Sequence, residues 1–112
     1  MKVDTTVAPG NLIYGGTKAA ITQLTRAMAK ELGDFCGIRV NSVRPCVVNT
    51  ELVQNLPEDY RRDIVKPVSD RMVFKRPVEP REVANIVIFL SSRMSSMVTG
   101  TSITIDGGHS LS

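Results

Sequence analysis

The sequence has few of the side chains that build metal centres or disulfide frameworks. It contains one histidine, His109, and two cysteines, Cys36 and Cys46, which form no CxxC pair. Structural metal sites usually draw three or four such ligands from closely spaced pairs. We therefore expect no bound metal, and we expect two buried or half-buried thiols in a reducing compartment.

Long apolar runs and clustered charges are also absent. No stretch approaches the roughly 18 apolar residues of a membrane helix, and the first residues lead into threonines rather than into the apolar run of a signal peptide. The net charge is only +3, and the densest basic pair, Arg61-Arg62, is flanked by acidic residues. Nucleic-acid binding usually needs a basic patch on one face. We therefore expect a soluble, cytoplasmic protein with neither a membrane nor a nucleic acid as its partner.

Helical periodicity is present in two long segments of this 112-residue chain, which fits one small domain. Apolar residues at spacings of three and four predict a helix over 12–32, which Gly33 ends. The same spacing predicts a helix over 80–92, and Pro80 suits its first position. The other predicted segments are a loop over 1–11, a short helix over Glu51–Asn55 capped by Thr50, a helix over Glu58–Val65 that ends before Pro67, and an irregular stretch over 68–79.

Two segments rich in β-branched residues predict strands. One covers 38–43 and is closed by Pro45, and the other covers 102–106. The order helix, strand, helices, strand predicts an α/β fold in which a right-handed crossover joins two parallel strands. A parallel pair normally lies inside a larger sheet with helices on both faces. These strands alone therefore predict an incomplete sheet with a bare edge.

Tyr14 and Lys18 stand four positions apart at the start of the first helix, so they share one face. A nearby ammonium stabilises the phenolate form of a tyrosine. A tyrosine paired in this way can donate a proton to a carbonyl oxygen as hydride reaches the carbon, or take the proton back. The ammonium also has three donors that suit the sugar hydroxyls of a cofactor. The spacing alone is equally typical of a surface pair, so its interpretation depends on the other motifs.

These motifs together resemble the short-chain dehydrogenase/reductase family over nearly the whole chain. The matching stretches are Tyr14–Ala20, Leu24–Leu32, Gly37–Pro45, Pro80–Asn85, Phe89–Ser92, Thr99-Gly100 and Asp106–Gly108. The resemblance implies the C-terminal half of a Rossmann-type doubly wound parallel sheet. Residues 1–112 are then a partial dinucleotide-binding domain without the N-terminal glycine-rich half.

The resemblance implies roles for five residues. Tyr14 matches the family's catalytic acid and base, and Lys18 matches the lysine that activates this tyrosine and holds the nicotinamide ribose. The loop from Pro45 to Thr50 matches the loop that binds the cofactor. In it, the backbone of Val48 would hold the carboxamide and Thr50 would lie beside the cofactor amide and phosphate. The implied activity is an NAD(P)(H)-dependent carbonyl reductase or alcohol dehydrogenase, with NADP or NAD as cofactor and a small-molecule carbonyl or alcohol as substrate.

Some positions depart from the family pattern. Cys46 stands where many members have glycine, and the position of the family's catalytic serine falls on Met1. The glycine-rich phosphate loop and the residue that selects NAD or NADP are not found in the chain. These departures keep an alternative open, namely a truncated, inactive remnant that acts only as an association partner. They also lead us to expect that the 112 residues alone bind NADP(H) very weakly or not at all.

Two features have two interpretations each. The small residues near the start of the first helix suit either a subunit interface or close packing against a sheet. The first interpretation implies a homo-oligomer or association with a full-length relative. Met72 and Phe74 lie in the segment that matches the family's variable substrate lid, and they either face a substrate or cover the core. The identity of the substrate is not readable from these residues.

Overall fold

The computed structural model describes residues 12–111, so the loop predicted over 1–11 lies outside the described residues. The described residues form two compact units. The first unit comprises residues 12–42 and 95–103, and the second comprises residues 43–94 and 104–111. No helix in this described part of the chain has the length and apolar character needed to cross a membrane.

The first unit is built on helix α1, Leu12–Cys36. The prediction that Gly33 ends this helix was wrong. The residue in the left-handed conformation is Gly37, with φ +64°. Its N–H donates to the carbonyl of Gly33 over 3.1 Å, and the N–H of Ile38 donates to that of Leu32 over 3.2 Å. Glycine adopts right-handed and left-handed backbone conformations equally well, so α1 continues through Gly33 and stops at Gly37, where the backbone becomes left-handed.

The buried residues of α1 are Thr25 and Ala29. Gly100 lies against this face, where a Cβ atom on it would be 3.4 Å from the Cβ of Ala29. Three apolar residues of the predicted stripe remain about half exposed, namely Ile21, Leu24 and Met28. Small residues therefore form the contact within the unit, because they allow the backbone at Gly100 to come close.

The segment before the first strand is held by polar contacts. Arg39 donates to the hydroxyl of Ser95 over 3.0 Å and to the carbonyl of Val98 over 3.1 Å. The amide of Asn41 donates to the same carbonyl over 2.9 Å and accepts from the N–H of Thr101. The prediction that this strand begins at residue 38 was therefore wrong. Before Ser42 the chain makes side-chain bonds to the loop and a single backbone bond, from the N–H of Gly100 to the carbonyl of Val40, rather than a regular ladder.

Strand β1, Ser42–Pro45, and strand β2, Ser102–Ile105, form a two-stranded sheet. The N–H of Ser42 donates to the carbonyl of Thr101, and the N–H of Cys46 donates to that of Ile105. Both partners advance together along the chain, so the strands are parallel, as predicted. Pro45 is the last residue of β1.

The first helix of the second unit is α2, Glu51–Gln54, which Thr50 caps as predicted by accepting from the N–H of Val53. A continuous helical run follows, made of α3, Glu58–Tyr60, a π-helical turn, Arg61–Val65, and α4, Lys66–Arg71.

The prediction that this run ends before Pro67 was wrong. Proline lacks an N–H and its ring collides with the carbonyl four residues earlier in an α-helix. Here Lys66 donates instead to the carbonyl of Arg61, five residues back. The wider π turn accommodates the proline. The irregular stretch predicted over 68–79 therefore begins only after Arg71.

Helix α5, Pro80–Ser91, confirms the predicted position of Pro80 as its first residue. Short 3₁₀ turns cover Arg93–Ser95 and His109–Leu111. The buried apolar residues of the second unit are Met72 and Val78. Met72 is completely buried, so it belongs to the core, whereas Phe74 is 71% exposed.

Candidate active site

Tyr14 and Lys18 lie on consecutive turns near the start of α1, in the first unit. The ammonium nitrogen of Lys18 is 5.3 Å from the centroid of the Tyr14 ring. Tyr14 is 62% exposed, so its ring is accessible to a small molecule. The Thr17 hydroxyl donates to the Tyr14 carbonyl over 2.8 Å, which ties the backbone between the two side chains. The predicted pairing on one face is therefore present, with a positive charge beside the phenol ring.

The other predicted site residues lie in the second unit, on the segment that follows β1. Pro45 ends the strand and is exposed. The next residues form a parallel bridge in which Val78 lies opposite Val48. The N–H of Val78 donates to the carbonyl of Val47 over 2.9 Å, and the N–H of Asn49 donates to the carbonyl of Val78 over 2.8 Å. A parallel bridge engages alternate residues of the strand, so the N–H of Val48 lies outside these two bonds.

A tight turn follows this bridge. The N–H of Thr50 donates to the carbonyl of Val48 over 2.8 Å. The Thr50 hydroxyl oxygen accepts from the N–H of Val53 over 3.4 Å, and its own proton remains available as a donor. The segment therefore presents one backbone donor and one hydroxyl close together in sequence, which suits an amide or phosphate ligand.

A side-chain network holds this segment, and it was not predicted from the sequence. The Asn49 amide nitrogen donates to the Glu79 carboxylate over 3.0 Å. The Asn49 amide oxygen accepts from the side chain of Gln54 over 3.1 Å. The sequence marks part of this network, because Glu79 and Glu82 stand at the spacing of a capping box at the start of α5. The contact of Glu79 with Asn49 spans thirty residues, which local pattern does not encode.

The same network continues to Arg76. Arg76 binds Glu82 through two nitrogens, over 2.8 and 2.7 Å. Glu82 also accepts from the N–H of Glu79 over 2.8 Å. The hydrogen bonds from Arg76 and then from the Glu79 backbone lower the pKa of Glu82 to about 2.

Cys46 lies next to Pro45 and is a half-buried free thiol, as predicted, whereas the prediction was wrong for Cys36, which is exposed. Desolvation by partial burial raises its pKa, and the negative charge of Asp106 acts in the same direction, while a hydrogen bond with the Val47 backbone opposes both. A raised pKa keeps the thiol protonated near neutral pH, which disfavours a role as nucleophile.

The tripeptide Asp106-Gly107-Gly108 forms a turn that packs on the segment after α4. The carboxylate of Asp106 accepts from the N–H groups of Gly108 and Ser110, over 2.9 and 2.8 Å. Desolvation raises the pKa of Asp106, but the bonds from Ser110 and Gly108 outweigh it and lower the pKa overall. Gly107 accepts from the N–H of Val73 over 2.8 Å. The motif therefore anchors the end of β2.

The chain is similar to known proteins over most of its length. A family described as enoyl-(acyl carrier protein) reductase matches residues 2–110. The L-xylulose reductase of Caenorhabditis elegans is 45% identical over 98 residues, which cover 88% of this chain and 38% of that protein. Carbonyl reductase (NADPH) 2 of Sus scrofa is 38% identical over 101 residues, covering 90% and 40%.

Solved structures of related proteins have the same fold. The crystal structure of a short chain dehydrogenase family protein from Francisella tularensis superimposes with a TM-score of 0.82 at 34% identity, over 96% of this chain and 47% of that one. The predicted Rossmann-type α/β fold is thereby confirmed. The chain spans about two fifths of the length of the curated relatives it matches.

Proposed function

Because this chain belongs to the short-chain dehydrogenase/reductase family, we propose that it carries part of an NAD(P)(H)-dependent active site that interconverts a small-molecule carbonyl compound and its alcohol. The observation that carries the proposal is the pairing of Tyr14 and Lys18, with the ammonium 5.3 Å from the ring centroid. The relatives named L-xylulose reductase and carbonyl reductase support this reaction class.

In this proposal Tyr14 moves the proton. Its hydroxyl donates to the carbonyl oxygen of the substrate while the carbonyl carbon is reduced, and it takes the proton back in the reverse direction. Lys18 stabilises the negative charge left on the tyrosine oxygen, since a nearby cation favours the ionised phenol. A bound nicotinamide nucleotide supplies or accepts the hydride. The 62% exposure of Tyr14 suits a group that must reach a small molecule.

The segment 45–50 supports binding of that nucleotide. The N–H of Val48 lies outside the bridge to Val78 and suits the oxygen of a carboxamide. The Thr50 hydroxyl proton suits an amide or phosphate oxygen. Cys46 stands at the start of this segment, and its protonated thiol adds no charge there. We propose NADP or NAD as the cofactor, and the relative named for NADPH favours the former.

The cofactor part of the proposal is tested by titrating the purified chain with NADPH and with NADH and following nucleotide fluorescence. Saturable binding up to millimolar nucleotide supports it, with weak affinity expected for a site built from Val48 and Thr50. No binding of either nucleotide at millimolar concentration, the other outcome that the missing phosphate loop allows, contradicts it and favours the non-catalytic association partner.

The catalytic part is tested by Tyr14→Phe in a preparation that turns over a sugar ketone, diketone or steroid substrate. Loss of the proton donor is expected to lower kcat by about 10²- to 10⁴-fold, with the KM for nucleotide changed by less than about threefold. Tyr60→Phe is the matched control, because Tyr60 is similarly exposed and lies on α3 in the second unit. Unchanged turnover in Tyr14→Phe would remove Tyr14 from the mechanism.

A second candidate function is that of a non-catalytic association partner, for a full-length relative or a second copy. Large apolar side chains on α1 favour it, since Leu12, Ile13 and Phe35 are each more than 80% exposed. Size-exclusion chromatography of the chain, alone and mixed with a full-length relative, tests this function. Monomeric elution under both conditions contradicts it.

A further inference from the structure

We propose that Asn49 is a positioning residue that clamps the segment presenting Val48 and Thr50, and that nucleotide affinity depends on this clamp. The inference rests on the proposed function, because it concerns the segment to which that function assigns the nicotinamide nucleotide. In this proposal Asn49 itself does not contact the substrate or the reacting atoms. It acts through the backbone on either side of it.

The clamp is made by both ends of the Asn49 side chain. Its amide nitrogen donates to Glu79 over 3.0 Å, and its amide oxygen accepts from Gln54 over 3.1 Å. A carboxylate only accepts and the nitrogen of Gln54 only donates, so the amide has one satisfactory orientation. The side chain therefore joins the end of α2 to the residue before α5, across the turn at Thr50.

The backbone of the same residue is held from a third side. The N–H of Asn49 donates to the carbonyl of Val78 over 2.8 Å, and Val78 is 5% exposed. A residue fixed by its backbone and by both ends of its side chain has little freedom to rotate. Its neighbours on either side, Val48 and Thr50, then keep one orientation, so ligand binding does not have to restrict them further and loses less conformational entropy.

The partner of Asn49 is itself fixed. The N–H of Glu79 donates to the Glu82 carboxylate, and Arg76 holds that carboxylate through two bonds. Glu79 is therefore placed by the start of α5 rather than by Asn49. Both side-chain bonds of Asn49 are solvent-exposed. The network to which they belong connects the start of α5 to the turn at Thr50.

The test exchanges donor and acceptor across the clamp. Asn49→Asp keeps the shape of the side chain but sets a carboxylate against the Glu79 carboxylate, so the two repel. Glu79→Gln alone retains an acceptor for the Asn49 amide and serves as the matched control. In the double variant Asn49→Asp/Glu79→Gln, the new amide donates to the new carboxylate and Gln54 still donates to it. The polarity of the bond is reversed and the clamp is restored.

Two readouts are measured on the four proteins, namely hydrogen exchange of the Asn49 and Thr50 amides and the dissociation constant for NADPH. Loss of one hydrogen bond and gain of a repulsion are expected to accelerate exchange at both amides by about tenfold and to weaken NADPH binding by about tenfold. Glu79→Gln is expected to stay within about threefold of the wild type in both readouts. The double variant is expected to return to that range.

Each contrary result has a distinct meaning. Unchanged exchange in Asn49→Asp, or a double variant no better than Asn49→Asp, overturns the clamp. Faster exchange with unchanged NADPH affinity reduces Asn49 to a purely structural residue and overturns the inference. If the wild type binds no nucleotide, the proposed function is what fails, and the exchange rates of the Asn49 and Thr50 amides still decide whether the clamp exists.

Discussion

Gly108 is the position where a single methyl group is expected to cost the most stability. Its φ is +84°, a conformation that costs a residue with a side chain about 1–2 kcal/mol. A Cβ atom there would lie 2.6 Å from Cγ2 of Val73 and 3.1 Å from its Cβ. Rotation of Val73 about χ1 moves Cγ2 but leaves Cβ in place, so a rotamer change relieves the overlap only in part. Overpacking of this kind costs about 1–3 kcal/mol.

We therefore expect Gly108→Ala to lower the free energy of unfolding by about 2–5 kcal/mol. Gly107→Ala is the matched control. Gly107 also has positive φ, +56°, but its nearest neighbour would be 3.5 Å away, on Phe74. Only the conformational cost of about 1–2 kcal/mol remains there. Gly16→Ala, near the start of α1 with nothing within 4 Å, is expected to stabilise the chain by about 0.5–1 kcal/mol.

The assay is urea unfolding followed by circular dichroism, with the midpoint and the slope fitted for each variant. The double variant Gly108→Ala/Val73→Ala removes Cγ2 and should recover part of the loss, giving a coupling energy of about 0.5–3 kcal/mol. If Gly108→Ala costs no more than Gly107→Ala, the overlap with Val73 is relieved at no cost and the reasoning is refuted.

Three further predictions concern other residues. The pKa of Glu82 is lowered to about 2 in the folded chain, below its unfolded value, so its contribution to stability is present above about pH 4.3 and is lost as pH falls towards 2. Arg76→Gln should therefore show a smaller fall in urea midpoint between pH 6 and pH 3 than the wild type. An equal fall in the variant and the wild type would contradict this. Cys36 is exposed whereas partial burial raises the pKa of Cys46, so iodoacetamide followed by peptide mass spectrometry at pH 7.5 should label Cys36 first, and equal rates would oppose the prediction. Gly37→Ala, at φ +64° beyond α1, should lower the free energy of unfolding by about 1 kcal/mol, and a neutral result in urea would show that the helix end relaxes.

The local patterns of the sequence predicted the type and order of the main elements. The start of α5 at Pro80 and the cap of α2 at Thr50 were found correctly, because each depends on residues within one helical turn. The positions of Tyr14 and Lys18 on one face followed from helical geometry alone. Their roles in proton transfer stay a prediction.

The errors have a common physical cause. Gly33 and Pro67 are local signals for the end of a helix, but α1 and α4 continue through them. Helix α1 ends at the left-handed conformation of Gly37, a second glycine signal four residues after Gly33. The run through Pro67 depends on the five-residue bond spacing around Lys66, which no residue pattern marks. The start of β1 depends on the bonds of Arg39 to a loop more than fifty residues away.

The sequence by itself determined the α/β order, the parallel crossover and the pairing of Tyr14 with Lys18, because each follows from periodicity or from neighbours on one helix. Only the tertiary structure decided that Met72 is core while Phe74 is exposed. It alone revealed that Asn49 joins Gln54 to Glu79, thirty residues along the chain from Asn49. Such contacts depend on which distant segments pack together, and that choice is made by the burial and polar satisfaction of the whole fold rather than by any short pattern.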